Sequence, residues 1–227
     1  MHSITVVFNA LPTMLEGSLV TLSIVFAALS IGLVFGFSFA IIQVYGKSWQ
    51  KLLVSLYVWL FRGFPILVLL FLGYGFFVAL KLPTNPFIIS CVVLGCTSTA
   101  YQSQIFRGAI QSLRVGQLQA ARALGMSDAQ AIRSIIIPQA LRLSIPGWTN
   151  EYSILLKDSA ICFVLGTQDI MARTSFAAAR THEHLALYAA AGLIYFILTF
   201  VIVKLLSRLE KKLHIPGFTQ ANGVNNL

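Results

Sequence analysis

Charged residues are scarce in this 227-residue chain, and their scarcity excludes most classes of water-soluble protein. Asp, Glu, Lys and Arg make up 10% of the sequence, whereas an average soluble domain has about 25%. Hydrophobic residues make up 57%, and the mean hydropathy is +0.82. A protein core alone cannot bury that much apolar surface. The sequence therefore predicts an all-α integral membrane protein with a single domain over residues 1–227.

The chain also lacks the patterns of a redox, metal-binding or nucleotide-hydrolysing protein. Its three cysteines, Cys91, Cys96 and Cys162, lie in apolar runs without metal or redox spacing. The phosphate-binding pattern Gly-x-x-x-x-Gly-Lys-Ser/Thr is absent, so any ATP hydrolysis must take place on another chain. His182 and His184 could hold a metal ion, but two solvated histidines are the simpler interpretation.

Five apolar runs are long enough to cross a bilayer, which requires about 20 residues each. We expect membrane spans at about 17–45, 64–80, 84–106, 143–165 and 185–206. Pro65 interrupts the second run, because proline lacks an N–H group and disfavours helical geometry in the residue before it. The residues ahead of this break are expected to form an amphipathic approach segment.

The distribution of basic residues predicts the orientation of the chain, since cytoplasmic loops are enriched in Lys and Arg. Three basic residues fall on one side of the predicted spans: Lys81, Arg173 and Arg180. Twelve fall on the other: Lys47, Lys51, Arg62, Arg107, Arg114, Arg122, Arg133, Arg142, Lys204, Arg208, Lys211 and Lys212. This asymmetry predicts an outer N-terminus and a cytoplasmic C-terminus. It also explains the net charge of +9 without nucleic-acid binding.

A polar segment at residues 115–138 separates the third and fourth predicted spans and is expected in the cytoplasm. Residues 117–124 favour a helix that Gly125 would end. Ser127 and Gln130 then fit a capping box at the start of a second helix running toward Pro138. Such helices either dock in a groove on another protein or lie on lipid headgroups. The residues alone favour neither alternative.

The fourth predicted span differs from the others because it carries the acidic residues Glu151 and Asp158. Seven residues are nearly two helical turns, so the two carboxylates share a face and lie about 10 Å apart along the axis. Ionisable groups within a span are costly and often functional. The pair favours a bound cation. The alternative is a structural ion pair with Arg62 or with Lys157 of a partner chain.

The polar segment resembles the EAA loop of permease subunits of ABC importers. That pattern is Glu-Ala-Ala, three residues, Gly, nine residues and then Ile-x-Leu-Pro. The spacing is kept here, with Gln119 in place of Glu and Ile137 in place of Leu. The resemblance implies that this segment contacts the ATPase subunit. The coupling residues it implies are Gln119, Ala120, Ala121, Leu124 and Gly125.

Further blocks resemble the permeases for polar amino acids within this family. They are Phe61–Pro65, Ala100–Gly108, Pro138–Arg142 and Leu156–Asp158. The resemblance implies a type I importer permease fold, with five transmembrane helices and a coupling helix between helices 3 and 4. It implies pairing with a second permease chain in a homo- or heterodimer, a cytoplasmic ATPase that binds ATP and Mg²⁺, and an external solute-binding protein. This chain itself would bind no cofactor and sit in a prokaryotic inner membrane.

The resemblance also places the substrate site near the middle of the membrane, beside the fourth span. A basic amino acid, arginine, lysine or histidine, would pair its two cationic groups with Glu151 and Asp158. The candidate donors to its α-carboxylate are Arg62, Thr97 and Ser98. The alternatives are import of a neutral polar amino acid such as glutamine, an ion-gradient-driven transporter that uses the carboxylates as proton carriers, and a scaffold protein.

Overall fold

A computed structural model describes residues 2–113 and 115–213, which fold into helices joined by short turns. The α-helices are α1 His2–Tyr45, α2 Ser48–Gly63, α3 Ile66–Ala79, α4 Pro86–Ser112, α5 Val115–Ala123, α6 Asp128–Ala131, α7 Ile137–Leu143, α8 Ile145–Asp158, α9 Ile170–Thr181 and α10 His184–Leu213. A π-helical turn, Ile132–Ile136, connects α6 to α7. A 3₁₀ segment, Ser159–Leu165, extends α8.

Two of the described helices, α1 and α10, are each long and apolar enough to cross a membrane. The pair α2 and α3, bent by 112°, adds a third crossing if it forms one span. The 14 residues of α8 and the 7 of the 3₁₀ segment together extend about 35 Å, which matches a hydrocarbon core of about 30 Å. The number of five spans stays a prediction.

The break before α3 is confirmed at the residues that predicted it. Helix α2 ends at Gly63, and Phe64 is extended, with φ −91° and ψ 142°. Helix α3 then starts immediately after Pro65. The cause is local, because the proline ring excludes helical geometry from the preceding residue.

Helix α1 packs along α4 more extensively than any other described pair of helices. Its close approach depends on small residues, since a Cβ atom on Gly36 would lie 3.0 Å from the carbonyl oxygen of Thr99 and the amide nitrogen of Ser103. The face of α4 in this interface is unusually polar for a buried surface. Ser98, Gln102 and Ser103 are all fully buried there.

In the polar segment, the predicted end of the first helix at Gly125 and the predicted start of the second at Ser127 are both confirmed. Gly125 has φ +81°, and the amide of Met126 donates to the carbonyl of Ala121, which closes α5 as a helix C-terminus. Ser127 and Gln130 form the predicted capping box. The helical path then continues through Pro138 to Leu143. Pro138 is tolerated because it lies in the first turn of α7, just after the π-helical turn.

The span predicted at 143–165 is not one α-helix. A turn at Ser144 precedes α8, and α-helical geometry ends at Asp158, where the 3₁₀ segment begins. Helix α9 was not predicted from the sequence. Its N-cap is Asp169, whose carboxylate accepts a hydrogen bond of 2.8 Å from the amide of Ala172.

Candidate functional site

Glu151 is held in the protein interior by a hydrogen bond between α8 and α4. Its side chain is 3% exposed, and its Oε1 accepts a hydrogen bond of 2.8 Å from the hydroxyl of Ser98. Gln102 donates to the same hydroxyl over 3.0 Å and accepts a bond of 2.9 Å from the indole of Trp148. This network fixes the orientation of the carboxylate, while the other oxygen of Glu151 accepts no bond from the described residues.

Asp158 lies two helical turns from Glu151, at the end of α8. Its side chain is half-buried and makes no hydrogen bond or ion pair with the residues that the structure describes. Because both carboxylates belong to the same unbroken α-helix, they share a face as predicted. Lys157 is exposed on a different face. Neither carboxylate of the pair therefore forms an ion pair with a cationic side chain in the described ranges.

Arg62 does not form the predicted alternative ion pair with either carboxylate. Among residues 2–113 and 115–213, the ion pairs join Arg122 to Asp128 and Arg173 to Glu16. The guanidinium of Arg62 instead lies over the ring of Tyr101, 4.8 Å from its centroid. Tyr101 follows Ser98 by one turn of α4, so Arg62 lies near the carboxylate network but forms no ion pair with it.

The two hydroxyl groups proposed from the sequence as donors are already occupied. The hydroxyl of Thr97 donates to the carbonyl of Val93 over 3.1 Å, within its own helix. The hydroxyl of Ser98 donates to Glu151. Of the three donors predicted from the sequence, Arg62 is therefore the one whose N–H groups are not used by a described residue. Two residues of this network were not predicted from the sequence: Gln102, which donates to the Ser98 hydroxyl, and Trp148, which donates to Gln102. The one indication of Gln102 in the sequence is that a glutamine lies within an apolar run.

The predicted coupling residues differ in their accessibility. Gln119, Ala120, Leu124 and Gly125 are exposed, and the side chain of Leu124 is 82% exposed. Ala121 is 2% exposed and faces the protein. Ala121 thus lies on the inner side of α5. Gln119 and Ala120 lie on its accessible side, and the exposed Leu124 follows directly after the helix.

Two polar contacts hold this segment in shape. Gln117 and Gln139 exchange amide hydrogen bonds of 3.0 and 3.1 Å, which fastens α5 to α7. The guanidinium of Arg122 makes two hydrogen bonds, of 2.7 and 2.9 Å, to the carboxylate of Asp128. These bonds hold the pKa of Asp128 below its usual range.

A second buried carboxylate, Asp169, lies at the start of α9. Asp169 is fully buried, and its Oδ2 atom has no hydrogen-bond partner in the described part of the chain. Burial raises the pKa of Asp169 to about 7. His182 and His184, which follow the other end of α9, are exposed. No group of three or more His, Cys, Asp or Glu side chains within the described ranges could hold a metal ion.

The chain matches the family described as binding-protein-dependent transport system inner membrane component over residues 32–215. The arginine transport system permease protein ArtQ of Bacillus subtilis (strain 168) is 33% identical over 204 residues, covering 89% of this chain and 93% of the relative. The histidine/lysine/arginine/ornithine permease HisM of Escherichia coli (strain K12) is 31% identical, covering 86% and 87%. The octopine permease OccQ of Rhizobium radiobacter is also 31% identical, covering 83% and 84%.

Solved structures agree with this result. A crystal structure of an amino acid ABC transporter with histidines superposes with a TM-score of 0.84 at 34% identity, covering 90% of this chain and 96% of that one. An inward-facing methionine transporter, MetNI, superposes with a TM-score of 0.79 at 19% identity, covering 89% and 97%, and shows the shared fold. These structures and the matched family show that the chain belongs to the binding-protein-dependent transport system inner membrane components and is the permease subunit of an amino-acid ABC importer.

Proposed function

We propose that this permease subunit imports a basic amino acid, arginine, lysine or histidine, by alternating access. The observation that carries the proposal is the carboxylate of Glu151, which is buried, oriented by Ser98 and in no ion pair with a described residue. Leaving a charged group unpaired in a low-dielectric interior is expensive. A cationic substrate that visits the site offsets that cost.

The second carboxylate gives the site its preference for two positive charges. Asp158 lies about 10 Å from Glu151 along α8, a separation suited to the two ends of a basic amino acid. One carboxylate pairs with the side-chain cation and the other with the α-amino group. The relatives named for arginine and for histidine, lysine, arginine and ornithine support this substrate class.

Coupling to the ATPase takes place through the accessible side of α5. Gln119, Ala120, Leu124 and Gly125 enter a groove on the ATPase subunit, and Ala121 supports them from inside. ATP and Mg²⁺ bind to that subunit, an external solute-binding protein delivers the substrate, and a second permease chain completes the pathway. The excess of basic residues on one side of the predicted spans supports an orientation with the N-terminus outside and α5 in the cytoplasm.

Uptake by the reconstituted complex tests the substrate assignment. Radiolabelled arginine, lysine and histidine would be compared with glutamine in proteoliposomes containing the permease, its ATPase and its binding protein. Glu151→Gln and Asp158→Asn should each lower uptake of the basic amino acid at least about tenfold, because each removes one charge-assisted contact. Glu210→Gln, which removes a carboxylate at the far end of α10, serves as the control. Normal uptake by both site variants in an intact complex would overturn the proposal.

A further inference from the structure

Gln102 is a fully buried amide at the point where α1, α4 and α8 meet. Its Nε2 donates to the carbonyl of Leu29 on α1 over 3.1 Å and to the hydroxyl of Ser98 on its own helix over 3.0 Å. Its Oε1 accepts a bond of 2.9 Å from the indole of Trp148 on α8. The amide oxygen and the amide N–H groups are therefore all used, in an interior where an unpaired polar group is costly.

The two partners of Gln102 outside α4 leave its amide a single orientation. An indole N–H can only donate a hydrogen bond, and a main-chain carbonyl can only accept one. Turning the amide end for end would bring its NH₂ group against the N–H of Trp148 and its oxygen against the carbonyl of Leu29. Gln102 therefore presents an N–H group to Ser98, and not its oxygen.

This orientation sets the direction of the hydrogen bond to Glu151. A serine hydroxyl has one hydrogen. Because the oxygen of Ser98 accepts from Gln102, that hydrogen is directed to Oε1 of Glu151, over 2.8 Å. Glu151 is thus the acceptor, and a hydrogen bond donated to the charged form of a carboxyl favours that form. The chain of bonds begins and ends on α8, since Trp148 and Glu151 are one turn apart.

The backbone of α1 leaves the space that this amide occupies. A Cβ atom on Gly32 would collide with Nε2 of Gln102 and would lie 2.8 Å from the hydroxyl oxygen of Ser98. The amide is therefore held in place by the shape of α1 as well as by its three hydrogen bonds.

We propose that Gln102 is a positioning residue of the substrate site. Its amide directs the Ser98 hydroxyl to Oε1 of Glu151, which favours the charged carboxylate and leaves Oε2 for the cation of the substrate. Gln102 does not touch the substrate and acts only through Ser98. The inference rests on the proposed function, in which Glu151 binds a basic amino acid. The competing explanation is that Gln102 only packs three helices together.

A double-mutant cycle distinguishes positioning from packing. Binding of L-arginine, L-lysine and L-histidine would be measured calorimetrically on the permease–ATPase complex in lipid nanodiscs, without the solute-binding protein. The amino acid that binds most tightly would then be used for the variants. Gln102→Met keeps the length of the side chain, removes its hydrogen bonds and should weaken binding at least about threefold. In the Ser98→Ala background it should weaken binding less than about twofold, because the hydroxyl through which it acts is gone.

Two further variants separate this effect from a loss of folding. Trp148→Phe keeps an aromatic ring and removes the N–H group that orients the amide. It should show the same dependence on Ser98, and it supplies the cycle if Gln102→Met does not assemble. Gly17→Ala overpacks a different contact of α1, against the backbone of Asp169. It should lower the Tm without changing the affinity.

The possible outcomes distinguish this inference from the proposed function. If Gln102→Met leaves the affinity unchanged, or if its effect multiplies with that of Ser98→Ala, Gln102 has no positioning role while the basic-substrate proposal stands. A loss of affinity in Gly17→Ala as large as that in Gln102→Met would show that disturbed packing is sufficient and would also overturn the inference. If the wild-type complex binds none of the three amino acids, the proposed function fails and this inference fails with it.

Discussion

The hydroxyl of Ser98 is the residue-scale feature on which the candidate site most depends. It donates to Glu151 and accepts from Gln102, so it connects the buried Glu151 carboxylate to the polar interface of α4. A buried carboxylate needs donors that stabilise its charged form and fix its direction. The position of Ser98 on the chain, 53 residues before Glu151, gives no hint of this contact.

We expect Ser98→Ala to raise the apparent KM for the proposed basic substrate at least about tenfold, because one hydrogen bond to a charged group is worth about 1.5–3 kcal/mol. The effect should be smaller than that of Glu151→Gln, since the carboxylate remains. Ser18→Ala is a matched control. It removes another buried hydroxyl, but one that bonds only the Met14 carbonyl of its own helix. Equal KM values for Ser98→Ala and Ser18→Ala in uptake assays would contradict the assigned role.

Asp169 supplies a prediction about pH. Burial raises its pKa from 3.8 to about 7, so between these values the folded protein holds a proton that the unfolded chain releases. The free energy of unfolding therefore falls as the pH rises from about 4 to about 7 and levels off above. Asn also caps helices well and does not ionise. Asp169→Asn should gain stability relative to the wild type as the pH increases from 5 to 8.

Thermal unfolding of the solubilised protein at several pH values measures this difference. Asp128→Asn is the control, because Arg122 lowers the pKa of the Asp128 carboxyl and its stabilising contribution disappears only at pH values below its ordinary range. A difference in Tm between Asp169→Asn and the wild type that stays constant from pH 5 to 8 would show that the carboxyl does not titrate there.

Elements that depend on local chemistry were predictable, and those that depend on distant contacts were not. Pro65 and the Ser127 capping box fix backbone geometry within a few residues, and both predictions are confirmed. Helix α1 begins at His2 rather than near residue 17. Glu16 ended the apolar run in the sequence, but glutamate is a good helix former, so its charge does not interrupt the helix; its carboxylate lies 3.7 Å from Arg173 of α9.

The contact between α1 and α9 requires glycine at one position. A Cβ atom on Gly17 would lie 2.8 Å from the backbone carbonyl of Asp169, and backbone cannot rotate away. We expect Gly17→Ala to lower the Tm, because overpacking costs about 1–3 kcal/mol. Gly192→Ala should raise it, since Gly192 has open space around it and alanine is favoured in helices by about 1 kcal/mol. If both substitutions shifted the Tm in the same direction, the tight packing around Gly17 and the open space around Gly192 would not be what determines their effects.

A substitution at Leu124, the exposed leucine of the polar segment, distinguishes the two interpretations of that segment, which are docking on the ATPase and lying on lipid headgroups. If α5 docks in a groove of the ATPase, Leu124→Glu should abolish co-purification of the ATPase subunit without lowering the Tm of the permease, because Leu124 is exposed. Leu185→Glu is the control: Leu185 is 87% exposed on the side predicted to be external. Retention of the ATPase by Leu124→Glu would favour a segment that lies on lipid headgroups.

At the scale of the whole molecule, the spacing of the sequence motifs predicted the family more completely than it predicted the candidate site. The EAA-like spacing around Gln119 and Gly125 lies within the matched region, residues 32–215. The shared face of Glu151 and Asp158 follows from helix periodicity alone. That the Ser98 hydroxyl is already occupied could not be predicted, because its bond to Glu151 depends on how α4 and α8 pack.

Substrate-stimulated ATP hydrolysis by the reconstituted complex tests the central claim, import of a basic amino acid, most directly. The permease, its ATPase and its binding protein would be assayed with each common amino acid in turn. Arginine, lysine or histidine should stimulate hydrolysis, and Glu151→Gln should remove that stimulation while leaving the basal rate unchanged. Stimulation by glutamine but by none of the three basic amino acids would contradict the account.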